Sequence, residues 1–221
     1  MKRMNIFCIV GKTGGGKDLY LRSIIKDKRF MKKEDLSLLV YGTTRNMRPG
    51  EEDGVTYHFH TDEEYTKIAP DELIESRSYY TLNDGEVYYF TKNEYFENAG
   101  TENIICSASP YQYESYRYWC ARENLKKEKE YNLYIILLAS DLKTRMYRLL
   151  ERATKDSDIY ELCRRVQQEK MEFEDVGNRI PEIIDPMLSS NSCLINNNGS
   201  TEKDIEANVT KIKEFIQRYS K

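Results

Sequence analysis

Residues Gly11-Lys12-Thr13-Gly14-Gly15-Gly16-Lys17 constrain this chain more than any other stretch. They follow the apolar, β-rich run Met4 to Val10 and precede Asp18 to Lys28, where Leu19, Ile24 and Ile25 recur at helical spacing. A strand, a glycine-rich turn and a helix in that order turn backbone N–H groups inward around an anion, and the helix N-terminus adds positive potential. Gly11, Thr13, Gly14, Gly15 and Gly16 form the cradle, and Lys17 is placed to reach the outer phosphates. Such a loop ordinarily continues with Ser or Thr, whose hydroxyl serves Mg²⁺. Here Asp18 and Leu19 follow instead. Two readings of Asp18 stand side by side: a carboxylate that holds Mg²⁺, a cation suited to hard oxygen ligands, or an acid that only meets the helix dipole.

Further apolar runs, Leu36 to Tyr41, Asn103 to Cys106, Leu133 to Ala139 and Ser192 to Ile195, alternate with helical stretches at Pro110 to Glu123, Asp141 to Arg152 and Thr201 to Tyr219, the last capped by Ser200 or Thr201. The expected class is α/β, a parallel sheet covered on both faces. Gly42 to about Lys92 breaks the rhythm. A Pro49-Gly50 turn and an Asn83-Asp84-Gly85 turn between Ile74 to Leu82 and Glu86 to Thr91 read as a small β-rich insertion. The polar stretch Ala153 to Asp158 separates two helices.

The formal net charge of -3 comes from cations and anions spread along the 221 residues, so neither a nucleic-acid face nor a polybasic membrane anchor is expected. The apolar runs are too short to span a bilayer, and no signal-peptide pattern opens the chain, so a cytoplasmic location is expected. Five widely spaced cysteines without a C-x-x-C pair read as reduced thiols. The sequence leaves the oligomeric state open.

Thr43-Thr44-Arg45-Asn46-Met47-Arg48-Pro49-Gly50-Glu51-Glu52-Asp53-Gly54-Val55-Thr56-Tyr57-His58-Phe59 carries the more specific signal. Two arginines three apart, stiffened by Pro49, can aim two planar forks at one phosphate. This TTR-x-x-RPGE-x-DG-x-x-YHF stretch resembles the signature of the guanylate kinase family, and the order of the remaining elements extends the resemblance over nearly the whole chain.

The resemblance implies a P-loop kinase fold with a core (residues 1–41 and 100–221), an acceptor-binding subdomain (42–99) and a short lid (about 152–163). It implies ATP as phosphoryl donor, Mg²⁺, GMP or dGMP as acceptor, and small-molecule nucleotides as the partners. Position by position, Arg45 and Arg48 match the arginines that grip the acceptor phosphate, and Tyr57 matches a tyrosine that donates its hydroxyl there. Glu75 matches the glutamate that accepts from the guanine edge, and Tyr89 and Thr91 match the acceptor contacts of a Tyr-Gly-Thr motif, with Phe90 in place of glycine. Arg148 and Arg152, together with Arg164 or Arg165, resemble the lid arginines that close over the transferring phosphoryl, where positive charge offsets charge on the γ oxygens.

Two departures stand out. Tyr41 occupies a position where many guanylate kinases have Ser, and the family's Leu-Asp-Ile-Asp strand end reads Ile104-Ile105-Cys106-Ser107-Ala108-Ser109, without either carboxylate. The expectation is therefore that Asp18 supplies the lost metal-site oxygen. Phosphorylation of another nucleoside monophosphate, a ribose bisphosphate kinase activity on the same fold, and a non-catalytic module that holds phosphopeptides stay open.

Overall fold

The chain was analysed as a computed structural model, which describes residues 2–81, 84–177, 190–199 and 201–220. Its central strand β1 (Lys2–Gly11) is buried from Met4 onward. It pairs in parallel with β7 (Asn103–Ala108) on one side and β8 (Lys129–Ala139) on the other. The edges β2 (Leu36–Leu38) and β9 (Ser192–Asn196) complete a five-stranded, all-parallel sheet of order β2-β7-β1-β8-β9.

Alternation along β1 divides the core in two. Ile6, Cys8 and Val10 face a cluster with Tyr116 and Trp119 of helix α5 (Pro110–Lys126). Phe7 and Ile9 face Tyr20 and Ile24 of α1 (Lys17–Lys26) and Ile212, Phe215 and Ile216 of α8 (Glu202–Tyr219). Side chains at successive strand positions point to opposite faces, so near-continuous apolar strands need helices on both sides. The α/β class with a doubly covered parallel sheet is as expected.

A second sheet, of order β4-β3-β6-β5, is built from β3 (Gly42–Thr43), β4 (His58–Phe59), β5 (Leu73–Thr81) and β6 (Gly85–Lys92). β5 and β6 form an antiparallel hairpin closed at Gly85, whose φ of 71° suits glycine. Leu82 and Asn83 of the expected turn lie outside the described residues. Short helices α3 (Asp62–Thr66) and α4 (Asn93–Glu97) flank this sheet in sequence.

Some boundaries differ from the sequence reading. The helix expected over Asp18 to Lys28 breaks at Asp27, whose side chain accepts from Phe30 N and caps a separate α2 (Lys28–Lys33). The strand expected to reach Tyr41 stops at Leu38, and the Tyr41 hydroxyl donates to Ser107 O (2.6 Å). The stretch read as irregular to Asp158 is already helical at Asp156, where α7 (Asp156–Gly177) begins; α6 (Leu142–Leu150) precedes it, with Asp141 as N-cap. Thr201 caps α8, while Ser200 lies outside the described residues. All five cysteines are free thiols; Cys8 and Cys106, neighbours across β1 and β7, have their sulfurs 3.5 Å apart. Among the described residues no helix is long and apolar enough to cross a membrane.

Candidate functional site

The parallel strands β1 and β7 both end at one cleft of about 840 Å³, bordered by Gly11, Thr13, Lys17 and Asp18 from the glycine loop and α1, and by Arg48, Tyr57, Arg77 and Tyr89 from the 42–99 region. Ligands of open α/β sheets bind at this end of the strands.

The glycine loop needs its glycines. Gly14 and Gly16 take φ of 75° and 86°, and a Cβ at Gly15 would lie 2.6 Å from Lys12 O. Lys17 Nζ donates to Gly11 O (2.5 Å), which bends the ammonium back over the loop. Burial lowers the Lys17 pKa, opposed by the carboxylates of Asp18 and Glu169. From behind, Asn197 Nδ2 donates to Gly15 O (2.8 Å) and its Oδ1 accepts from the Tyr20 hydroxyl (2.5 Å), which in turn accepts from Asn208 Nδ2 (3.0 Å). A buried polar chain thus runs from α8 to the loop.

At the front of the loop stands a carboxylate from α7. Glu169 accepts from the Thr13 backbone N–H through Oε2 and from Arg145 through Oε1 (2.8 Å), and Arg145 also donates to Thr13 O (3.1 Å). Glu169 and Arg145 are 8% and 5% exposed, so this is a dry ion pair against the anion cradle. Neither residue carries a sequence signal, because the helices that present them are 24 positions apart at the contact.

Arg45 is 3% exposed and fully engaged, behind residues that border the cleft rather than among them. It donates to Glu51 (2.8 Å), Asn46 O (2.6 Å) and the Tyr89 hydroxyl (3.2 Å), and lies over the rings of Tyr57 and Phe59. Glu51 also accepts from Arg48 N (2.8 Å), and the Arg45 guanidinium holds the Glu51 carboxyl below the usual carboxylate range. Arg48 is exposed and borders the cleft, as do Tyr57 and Tyr89, whose rings meet edge to face. The two arginines, two tyrosines and Glu51 therefore form one cluster.

Glu75 is not an exposed strand acid. It is buried, registers with Thr91 across the hairpin, and accepts from Thr91 Oγ1 (2.7 Å), Gln112 Nε2 (3.2 Å) and Arg77 Nε (3.0 Å). Thr91 in turn lies 2.9 Å from the Tyr116 hydroxyl. Arg77 and Gln112 were not singled out in the sequence, although Arg77 is two positions from Glu75 on one strand and so shares its face.

The helix arginines separate. Arg164 and Arg165 of α7 border the cleft, and Arg164 also pairs with Glu161 (2.7 Å). Arg148 donates to Gly199 O (2.8 Å) and Arg152 is exposed; neither is among the residues bordering the cleft. Glu172 borders it too, its pKa raised by burial against the opposing pull of Arg77.

Asp18 is exposed at the first turn of α1 and borders the cleft. Among the described residues no group of three or more His, Cys, Asp or Glu side chains is arranged to hold a metal ion. One carboxylate beside a phosphate cradle fits Mg²⁺, which keeps most of its waters and takes its remaining ligands from one or two carboxylates and substrate phosphates.

The guanylate kinase family profile matches residues 3–83, which contain the glycine loop, the Arg45–Phe59 stretch and Glu75 but end before Tyr89 and the helix arginines. The guanylate kinase of Clostridium perfringens (strain SM101 / Type A) is 38% identical over 76 residues, 34% of this chain and 33% of that protein. That of Oceanobacillus iheyensis is 34% identical over 92 residues, 42% of this chain and 40% of that protein. The matched part thus spans between a third and two fifths of these relatives' length. The solved guanylate kinase of Anaplasma phagocytophilum aligns with a TM-score of 0.53 at 14% identity, covering 99% of this chain and 87% of that one, which is a likeness of fold.

Proposed function

We propose, from the kinship of residues 3–83 with the guanylate kinase family, that this chain transfers the γ-phosphoryl group of ATP to a nucleoside monophosphate, with GMP or dGMP as the first choice. The observation that carries the reading is that a phosphate cradle with its lysine and an arginine–tyrosine cluster open into a single cleft. Phosphoryl transfer asks a protein chiefly to position two phosphates in line and offset their charge, and Lys17 and Arg48, which border the same cleft, are taken as the donor and acceptor grips.

In this reading Gly11 to Gly16 present amides to the donor phosphates and Lys17 neutralises charge on the transferring group. Asp18 is the carboxylate that would hold Mg²⁺, which would supply positive charge to offset that of the phosphates. Arg45, Arg48 and Tyr57 take the acceptor phosphate, which displaces Glu51 from Arg45. Arg164 and Arg165 on α7 are the cleft-side cations for the γ-phosphoryl; Arg148 and Arg152 do not border the cleft and would join them only if α6 moved. The core, acceptor and lid regions would then close around two substrates.

An ADP-release assay with ATP–Mg²⁺ and GMP, dGMP, AMP, UMP, CMP or ribose phosphates as acceptors tests this. Turnover with a monophosphate is expected, and no turnover at any Mg²⁺ concentration would overturn the kinase reading. An Asp18→Ala variant with unchanged Mg²⁺ dependence would remove Asp18 from the metal site.

A further inference from the structure

Arg77 borders this cleft and Glu75 is not among the residues that do. Glu75 is buried, with its side chain only 5% exposed, and three donors already take up its carboxylate: Thr91, Gln112 and Arg77. A carboxylate offers about four lone-pair sites, so one is left for a ligand. A purine edge with a ring N–H beside an amino group would need two.

Arg77, by contrast, borders the cleft with its side chain 22% exposed. Its Nε is spent on Glu75 and its Nη1 on the Tyr79 hydroxyl (3.3 Å) and Ser109 Oγ (3.2 Å), while among the described residues its Nη2 has no hydrogen-bond partner. The fork is held on three sides. Ser109 follows the strand end where the sequence lacks carboxylates, so the acids near Arg77 are Glu75, which pairs with it, and Glu172 of α7, which lies within its electrostatic range.

We propose that Arg77 is the specificity-determining residue for the acceptor base: it donates to a ring carbonyl, and so selects oxo bases over their amino counterparts. This rests on the nucleoside monophosphate kinase reading and narrows it. A planar guanidinium with a free N–H pair is complementary to O6 of guanine or hypoxanthine, and to O4 of uracil, whereas the amino groups of adenine and cytosine set donor against donor. With one lone pair left on Glu75, the 2-amino group of guanine goes unread, and IMP is accepted nearly as well as GMP.

The test compares bases that differ only at the oxo or amino position: GMP and IMP against AMP, and UMP against CMP. Each is measured for turnover with ATP–Mg²⁺ and for equilibrium binding by calorimetry without donor. For the wild-type chain the expected result is GMP and IMP within tenfold of each other in kcat/KM, and AMP lower by about 10- to 150-fold, the worth of one hydrogen bond to a charged group. Arg77→Met is expected to erase most of that ratio through KM while leaving the KM for ATP unchanged. Arg77→Lys retains a cation beside Glu75, and so the stability of the hairpin, but lacks the fork; it keeps the wild-type Tm and loses most of the oxo preference.

An unchanged GMP-to-AMP ratio in Arg77→Lys and Arg77→Met overturns the proposal, as does a wild-type preference for GMP over IMP above a hundredfold. If the wild-type chain turns over no monophosphate, the kinase reading falls by itself. The binding arm then still decides Arg77: a GMP-to-AMP affinity ratio that collapses in both variants upholds it, and an unaltered ratio, or no binding, overturns it.

Discussion

If the glycine loop holds phosphates as proposed, Glu169 on the Thr13 N–H competes with them, and replacing it with Gln should move stability and nucleotide affinity in opposite directions. The carboxylate takes one N–H from Thr13 in the loop and one from Arg145 at 2.8 Å, with both ion-pair partners under 10% exposed. A glutamine keeps one acceptor oxygen and turns the other position into a donor that faces a donor. Removing a whole partner from a buried pair costs about 3–5 kcal/mol, and a single hydrogen bond to a charged group is worth about 1.5–3 kcal/mol. With one acceptor retained, the loss is about 2–3 kcal/mol, which for a chain of this size lowers Tm by roughly 4–12 °C.

The same change removes a negative charge from beside the bound phosphates. Two unit charges about 4 Å apart repel by about 4 kcal/mol at an effective dielectric constant near 20. Recovering only a third of that tightens ATP binding about tenfold. Thermal unfolding with and without ATP–Mg²⁺, together with calorimetric titration of ATP, measures both effects. An apo Tm equal to that of the wild type, or an ATP affinity unchanged or weaker, would refute the view of Glu169 as a competitor for the loop.

Lys17→Ala should cut kcat by at least 10²–10³-fold at saturating ATP, since a single preorganised donor to the developing charge is worth that much; a rate within fivefold of wild type would displace Lys17 from the donor site. Asn197→Ala breaks the buried chain between Tyr20 and Gly15 O, and should cost about 1–3 kcal/mol in urea unfolding and raise KM for ATP more than KM for the acceptor. Glu172 has a folded pKa raised by burial, so its charged form disfavours the fold above that pKa and the penalty vanishes below the ordinary carboxylate range. Glu172→Gln should therefore raise Tm at pH 7–8 and match wild type near pH 4, and a pH-independent difference would count against desolvation as the cause.

What could be read early had local causes. The strand, glycine loop and helix from Met4 to Lys28 follow from an apolar run, left-handed glycines and helical periodicity within a single short segment. Pro49 and the flanking arginines, from which the proposed phosphate grip is read, likewise lie within one short segment. The break at Asp27 was missed because a cap forms inside an otherwise continuous helical pattern, and the tertiary ion pair from Lys213 to Asp27 (2.6 Å) is not visible in either segment.

The sequence by itself determined the α/β class, the glycine loop around Lys17 and the Arg45, Arg48 and Tyr57 segment, because each depends on residues within one segment or one period of the chain. The tertiary structure decided where the charges sit: Glu169 with Arg145 at the loop, Arg164 and Arg165 at the cleft while Arg148 turns to Gly199, and Arg77 rather than Glu75 bordering the cleft. These placements depend on how helices and hairpins from distant parts of the chain pack around one cleft, and the low dielectric created by that packing gives the Glu169–Arg145 and Glu75–Arg77 ion pairs their weight.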